Sequence, residues 1–287
     1  MTDQANRLRA LAQNQQAEPS LFSSRVMAIA SGKGGVGKTN IVAGLAMTLA
    51  QMGQRVVVLD ADFGLANLDI LLGLSPQYTL EHVLRGEKLM EEILLDGPFG
   101  IKIIPASSGI QELTRLDASA ELRLVQGLQR ISLNSDWLLI DTAAGIHDSV
   151  IKLLMAAQEV LLITTPEPTA LVDVYAMVKV VHLRDPQKPL WLLVNNSQSQ
   201  EEAEETIEQL QAATLRFLNR ELKVLGMVPS DPFILQAVRQ QHCVVELFPQ
   251  SPAARAFVNV ARQLQEKIPL QKDGFAAFWK GLRIEEI

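Results

Sequence analysis

The stretch from Ser31 to Asn40 reads SGKGGVGKTN and constrains this chain more than any other. It follows an apolar run, Arg25 to Ala30, and precedes residues Ile41, Leu45, Leu49 and Met52, which recur at helical spacing. A strand, a glycine-rich turn and a helix, in that order, are the context in which G-x-x-x-x-G-K-[ST] marks a phosphate-binding loop. Glycines at 32, 34, 35 and 37 let successive N–H groups turn toward one anion. The helix that begins near Thr39 adds its positive end. The candidate phosphate-binding set is therefore Gly32, Lys33, Gly34, Gly35, Val36, Gly37, Lys38, Thr39 and Asn40. Lys38 is placed to reach the β- and γ-phosphates, and the Thr39 hydroxyl to ligate Mg²⁺.

Two further segments supply carboxylates at strand ends. Val56 to Leu59 reads as a buried parallel strand and runs into Asp60-Ala61-Asp62. In a doubly wound sheet ligands collect at the carboxyl edge, so Asp60 and Asp62 lie beside the phosphate loop, where their repulsion calls for a cation. Asp69 reads as a turn or capping residue. Trp137 to Ile140 ends in Asp141, the Walker B form, in which a carboxylate holds Mg²⁺ through water. Gly145, four residues on, lets the backbone approach the γ-phosphate and sense its presence. His147 and Asp148 read as solvated or capping residues.

Apolar runs at Ile101–Ile104, Val160–Thr164, Leu190–Val194 and Leu222–Val228 alternate with helical patterns at Leu116–Ser132, Thr169–Leu183, Ile234–Gln241 and Ala253–Gln265. Leu71 to Leu95 reads as mostly helical, with breaks at Gly86 and Gly97-Pro98. The fold expected is α/β: one doubly wound domain over residues 25–270, its mostly parallel sheet of about seven or eight strands covered by helices on both faces. Glu201 to Glu208 holds five glutamates and reads as a solvated helix face. The strand ending at Asn195 lacks the Asn-Lys-x-Asp pattern that reads guanine, which points to ATP. Asn195 has two readings, a residue at the base edge and a buried strand-end amide.

A net charge of −6 argues against a surface built for nucleic acid. Cys243 is the only cysteine, so no disulfide framework or Cys-x-x-Cys metal site exists, and its apolar neighbours make it a small core hydrophobe. The first twenty residues are polar and no run reaches the ~18 apolar residues of a spanning helix. A cytoplasmic location is expected.

With KGGVGKT in place, the chain resembles the MinD/ParA-type deviant Walker A ATPases, and within them the FlhG/FleN branch of flagellar-number regulators. The resemblance covers about residues 25–270. It implies an ATP-dependent homodimer in which Lys33 crosses the interface to the partner's nucleotide. It also implies that Asp62 orients the attacking water, that Asp60 supports the Mg²⁺ shell, that Asn195 meets the base edge and that Pro229 to Asp231 wrap the adenine. Lys33, Lys38 and Asp62 are thus the candidate catalytic residues; Thr39, Asp60 and Asp141 the metal set; and Asp62, Asp141 and Gly145 the switch residues. Thr142-Ala143 departs from the D-x-P-A-G form usual in MinD and is nearer FlhG. A MinD- or ParA-like ATPase for division-site placement or DNA partitioning shares the same central motifs and stays open.

Both ends carry separate signals. Residues 1–24 could form a short capped helix and a linker, which composition alone reads as a disordered tail. Asp3, Gln4, Ala5, Leu8 and Arg9 resemble the DQAxxLR element with which some FlhG proteins activate the GTPase FlhF, and the branch implies a flagellar transcription activator and basal-body switch proteins as further partners. Residues 271–287 place Phe275, Phe278, Trp279 and Leu282 on one helical face. That face either docks on the domain or inserts reversibly and peripherally at the inner membrane.

Overall fold

The computed structural model describes residues 24–62, 67–105, 118–132, 134–268 and Phe278. Among these, eight strands form one sheet: β1 (Arg25–Ala30), β2 (Val56–Ala61), β3 (Leu95–Asp96), β4 (Lys102–Ile104), β5 (Trp137–Thr142), β6 (Glu159–Thr164), β7 (Leu190–Ser197) and β8 (Lys223–Pro229). Their spatial order is 3-4-2-5-1-6-7-8. All pairs are parallel except β3–β4, an antiparallel edge that the sequence did not announce. The expected doubly wound α/β architecture is what is observed.

Alternation across each strand builds the two layers. Val26, Ala28 and Ala30 of β1 face one core, with Val57 and Leu59 of β2. Met27 and Ile29 face the other, with Val56 and Val58. Every residue of β2, β5 and β6 is buried, as strands covered on both sides require. Over the first core lie Leu80–Leu84, Met90–Ile93, Ala118–Ser132, Asp148–Ala156, Pro168–Arg184 and Gln200–Leu218. Over the second lie Lys38–Gln51, Leu68–Leu71, Pro232–Arg239, Val244–Leu247 and Pro252–Lys267.

The mostly helical reading of 71–95, broken at Gly86, resolves into short helices with a further break at Gly73. Gly73 (φ 63°) and Gly86 (φ 77°) adopt left-handed backbone that ends a helix, and the segment from 95 turns into β3. Two of the longer helices begin at side-chain caps. Ser199 accepts from the Glu202 amide and Ser251 from the Ala254 amide. The glutamate-rich start of Gln200–Leu218 is solvated, with Ala203, Thr206 and Leu210 facing inward. Cys243 is buried, as expected of a small hydrophobe, and burial pushes its thiol up to about 11.

The sheet reverses its winding about β1, which is flanked by β5 and β6. The carboxyl ends of these strands and of β2 converge there, and they carry Ser31, Asp60 and Asp141. Such a switch point is where open α/β sheets bind ligands.

Candidate functional site

The phosphate loop leaves β1 as buried strand and enters the Lys38–Gln51 helix with Gly37 as its N-terminal flank. Gly35 (φ 81°) and Gly37 (φ 84°) hold the left-handed conformations the turn demands. Gly32 is required for a different reason. A Cβ there would stand 2.4 Å from the backbone carbon of Asp173 in the Pro168–Arg184 helix, so that helix lies directly on the loop. The Ser31 hydroxyl donates to the Lys33 carbonyl at 3.0 Å and closes the loop's first turn.

Lys38 and Lys33 have opposite surroundings. Lys38 is buried, and its ammonium makes a direct ion pair with Asp141 Oδ1. Lys33 turns outward, and its Nζ lies 2.8 Å from Glu167 Oε2 and 3.3 Å from Thr169 Oγ1. With the Lys33 side chain 42% exposed, it is accessible from outside the protomer.

Parallel pairing of β2 with β5 sets Asp60 beside Asp141. Burial raises the Asp60 carboxyl to about 7, with the Asp141 charge as the next cause. Its oxygens accept the amides of Asp62 (3.1 Å) and Leu68 (3.3 Å), so Asp60 gathers both ends of the loop that follows β2. Burial likewise raises Asp141, opposed by Lys38 and by a hydrogen bond from Thr39. The nearby charge of Asp62 raises it further. Three carboxylates and one hydroxyl thus meet with Lys38 among them, a set short of positive charge.

That donor set fits Mg²⁺. Among the described residues no three His, Cys, Asp or Glu side chains form a ready-made metal cage. Mg²⁺ needs none, because it keeps several waters and takes phosphate oxygens as ligands. Thr39 and Asp141, supported by Asp60, are the residues that would hold it.

Gly145 (φ 93°) follows β5, and its amide donates to the Ser31 carbonyl at 2.9 Å. The Thr142 hydroxyl donates to the Ile29 carbonyl at 2.9 Å. The segment expected to sense the γ-phosphate is therefore fastened to the root of the phosphate loop.

A cavity of about 530 Å³ opens from Gly34 to Gly37 toward the ends of β7 and β8. Ser230, Asp231 and Pro232 line it, with Asn195, Ile234, Leu235, Val244 and Phe257. Pro229 stands one step before this wall. The Asp231 carboxylate is committed elsewhere: its oxygens accept the amides of Phe233 and Ala253, both at 2.9 Å, and join two helix starts. Asn195 is buried and donates to the Val36 carbonyl at 2.8 Å. The structure brings together Lys38, Thr39, Asp60, Asp62 and Asp141 as the sequence foresaw. It adds Glu167, Thr165 and Phe257, which no motif marked, because each reaches the site through packing alone.

At the carboxyl terminus Phe278 is buried in the first core, 1% exposed. Docking is thus the observed state of this side chain. Phe275, Trp279 and Leu282 lie outside the described residues, as does the amino-terminal element with Asp3, Gln4, Ala5, Leu8 and Arg9. No helix among the described residues is long and apolar enough to cross a membrane.

Comparison with known proteins agrees with this geometry. Residues 24–189 match the family described as AAA domain. The chain is 41% identical over 261 residues to the antiactivator FleN of Pseudomonas aeruginosa, covering 91% of this chain and 93% of that one. It is 32% identical to the flagellum site-determining protein YlxH of Helicobacter pylori, covering 98% of each. Among solved structures it is similar to the septum site-determining protein MinD of Pyrococcus horikoshii complexed with Mg-ADP. There the TM-score is 0.69 at 26% identity, over 85% of this chain and 97% of that one.

Proposed function

Because this chain belongs to the MinD/ParA-type family of deviant Walker A ATPases, close to FlhG/FleN, and binds and hydrolyses ATP, we propose that it is a nucleotide-driven dimerisation switch controlling flagellar number or placement. The observation that carries the switch is the outward position of Lys33. Its ammonium lies at the mouth of the loop cavity and rests at the surface against Glu167 and Thr169, from which it can reach a second copy. The flagellar role is supported by the relatives, an antiactivator and a site-determining protein.

In this reading Lys38 leaves Asp141 for the β- and γ-phosphates, while the amides of Gly34 to Lys38 surround them. Thr39 and Asp141, the latter freed when Lys38 leaves it, are the residues that would hold Mg²⁺, which would supply positive charge against the phosphates. Asp62 orients the attacking water, and Lys33 from the partner protomer offsets charge at the transferring group. Asp60 fixes the ends of the loop that carries Asp62. Gly145 exchanges its bond to Ser31 for one to the γ-phosphate, so hydrolysis releases it and the dimer opens.

The remaining assignments extend this reading. Residues 1–24 act as a partner-activating segment toward the GTPase FlhF, residues 25–270 are the ATPase, and residues 271–287 form a helix exchanged between its dock and the inner-membrane surface. A flagellar transcription activator and basal-body switch proteins are the other partners. Similarity to MinD supports a second reading, a division-site ATPase, which a deletion strain separates by showing altered cell division with unchanged flagella. The central test is sedimentation of the full chain with Mg²⁺ and a non-cleavable ATP analogue. Wild type dimerises and Lys33→Ala stays monomeric; a wild type that remains monomeric at every concentration refutes the switch.

A further inference from the structure

We infer that Asn195 is a positioning residue for the phosphate loop, tying the base end of the cavity to the backbone that grips the phosphates. Asn195 lies two residues before the end of β7 and is 7% exposed. Its Nδ2 donates to the Val36 carbonyl at 2.8 Å. A carbonyl can only accept, so the amide nitrogen must face it and Oδ1 must turn away. That oxygen is buried with no hydrogen-bond partner. Gly37 shows how closely the two segments fit: a Cβ there would lie 2.6 Å from the same Nδ2.

The backbone around Asn195 is shaped for this contact. Register between β7 and β8 shifts between Asn195 and Ser197, with Asn196 at φ 58° in the bulge. The Ser230 amide then donates to the Ser197 carbonyl at 2.8 Å. The loop that lines the cavity and the loop that binds phosphate are therefore joined through one strand end.

The physical consequence concerns the Val36 carbonyl. Its peptide group lies between amides that must converge on an anion, and a carbonyl turned inward there would repel phosphate. Asn195 holds it outward. The role precedes any contact with a base, and it rests on the reading that this loop binds the triphosphate. An amide that reads only the base affects only nucleotides; one that positions the loop affects every polyphosphate.

Calorimetric titration of the full chain with ATP and with inorganic tripolyphosphate, both with Mg²⁺, separates these roles. Asn195→Asp keeps the side-chain shape but replaces the donor with an oxygen facing another oxygen, whereas Asn195→Ala removes the group. Both variants are expected to bind tripolyphosphate about tenfold more weakly, with a similar factor for ATP. Normal tripolyphosphate binding with weakened ATP binding confines Asn195 to the base and overturns the proposal. If Asn195→Ala is too unstable to titrate, Asn195→Ser, whose shorter side chain cannot span the distance to the Val36 carbonyl, is measured in its place, with unchanged tripolyphosphate affinity as the overturning result. A wild type that takes up neither ligand is a different failure, that of the phosphate-loop reading itself.

Discussion

Lys38 Nζ and Asp141 Oδ1 form a direct ion pair whose two side chains are only 7% and 2% exposed, although 103 residues separate them in the chain. A buried pair of this kind adds little net stability, but removing one partner strands the other, at a cost of about 3–5 kcal/mol. Lys38→Met is therefore expected to melt several degrees lower without nucleotide. Lys38→Met with Asp141→Asn should regain most of the loss. Thermal melts of the two single variants and the double variant give the coupling, and additive losses would show that the pair does not exist.

Asp60 predicts a pH dependence. Its carboxyl titrates at about 7 in the fold against an ordinary 3.8, so between these values the folded state holds a proton that the unfolded chain has released. Stability from this group is complete below about pH 4 and is lost as pH rises through about 7, by up to about 4 kcal/mol. Urea titrations of magnesium-free protein at pH 5 and pH 8 should show that trend. Asp60→Asn should flatten it, and an unchanged slope would assign it to other groups.

Gly32 touches the backbone of Asp173, which has no room to move independently of its helix. Gly32→Ala should cost about 1–3 kcal/mol of stability by overpacking and displace the loop. ATP affinity should fall with it. A Gly32→Ala protein with wild-type melting and wild-type affinity would mean that the helix sits farther from the loop.

Asp62 separates hydrolysis from assembly. Asp62→Ala is expected to bind ATP and to remain dimeric while turnover falls by about a hundredfold or more, the range of a lost catalytic base or water-orienting group. Sedimentation and single-turnover phosphate release test both halves. Normal release would remove Asp62 from the mechanism.

Phe278 distinguishes a docked tail from a free one. Truncating a fully buried phenylalanine costs about 3–5 kcal/mol, so Phe278→Ala should lower the melting temperature of the free protein in the absence of lipid. A side chain that served only a membrane would leave that temperature unchanged.

The phosphate loop, the strand-end aspartates and the parallel sheet were legible in the sequence because each depends on near neighbours. Loop glycines, apolar runs ending in Asp and alternating periodicities specify local backbone, and local backbone specifies the sheet edge where they meet. The helical pattern of Leu71–Leu95 breaks at Gly86, which the sequence marks, and also at Gly73, whose left-handed backbone apolar spacing does not reveal. Asp231 lines the cavity, and its oxygens also serve two helix starts that only the folded chain brings together.

What the sequence by itself determined is the chemistry: a loop for phosphate, Lys38 for its charge, three aspartates that call for a cation, and an α/β frame to present them. Tertiary structure decided who holds whom. It set Lys33 against Glu167, Asn195 against Val36 and Phe278 inside the core. Such contacts join residues far apart in the chain, and their geometry depends on how packed helices and strands come to rest, which no short motif encodes.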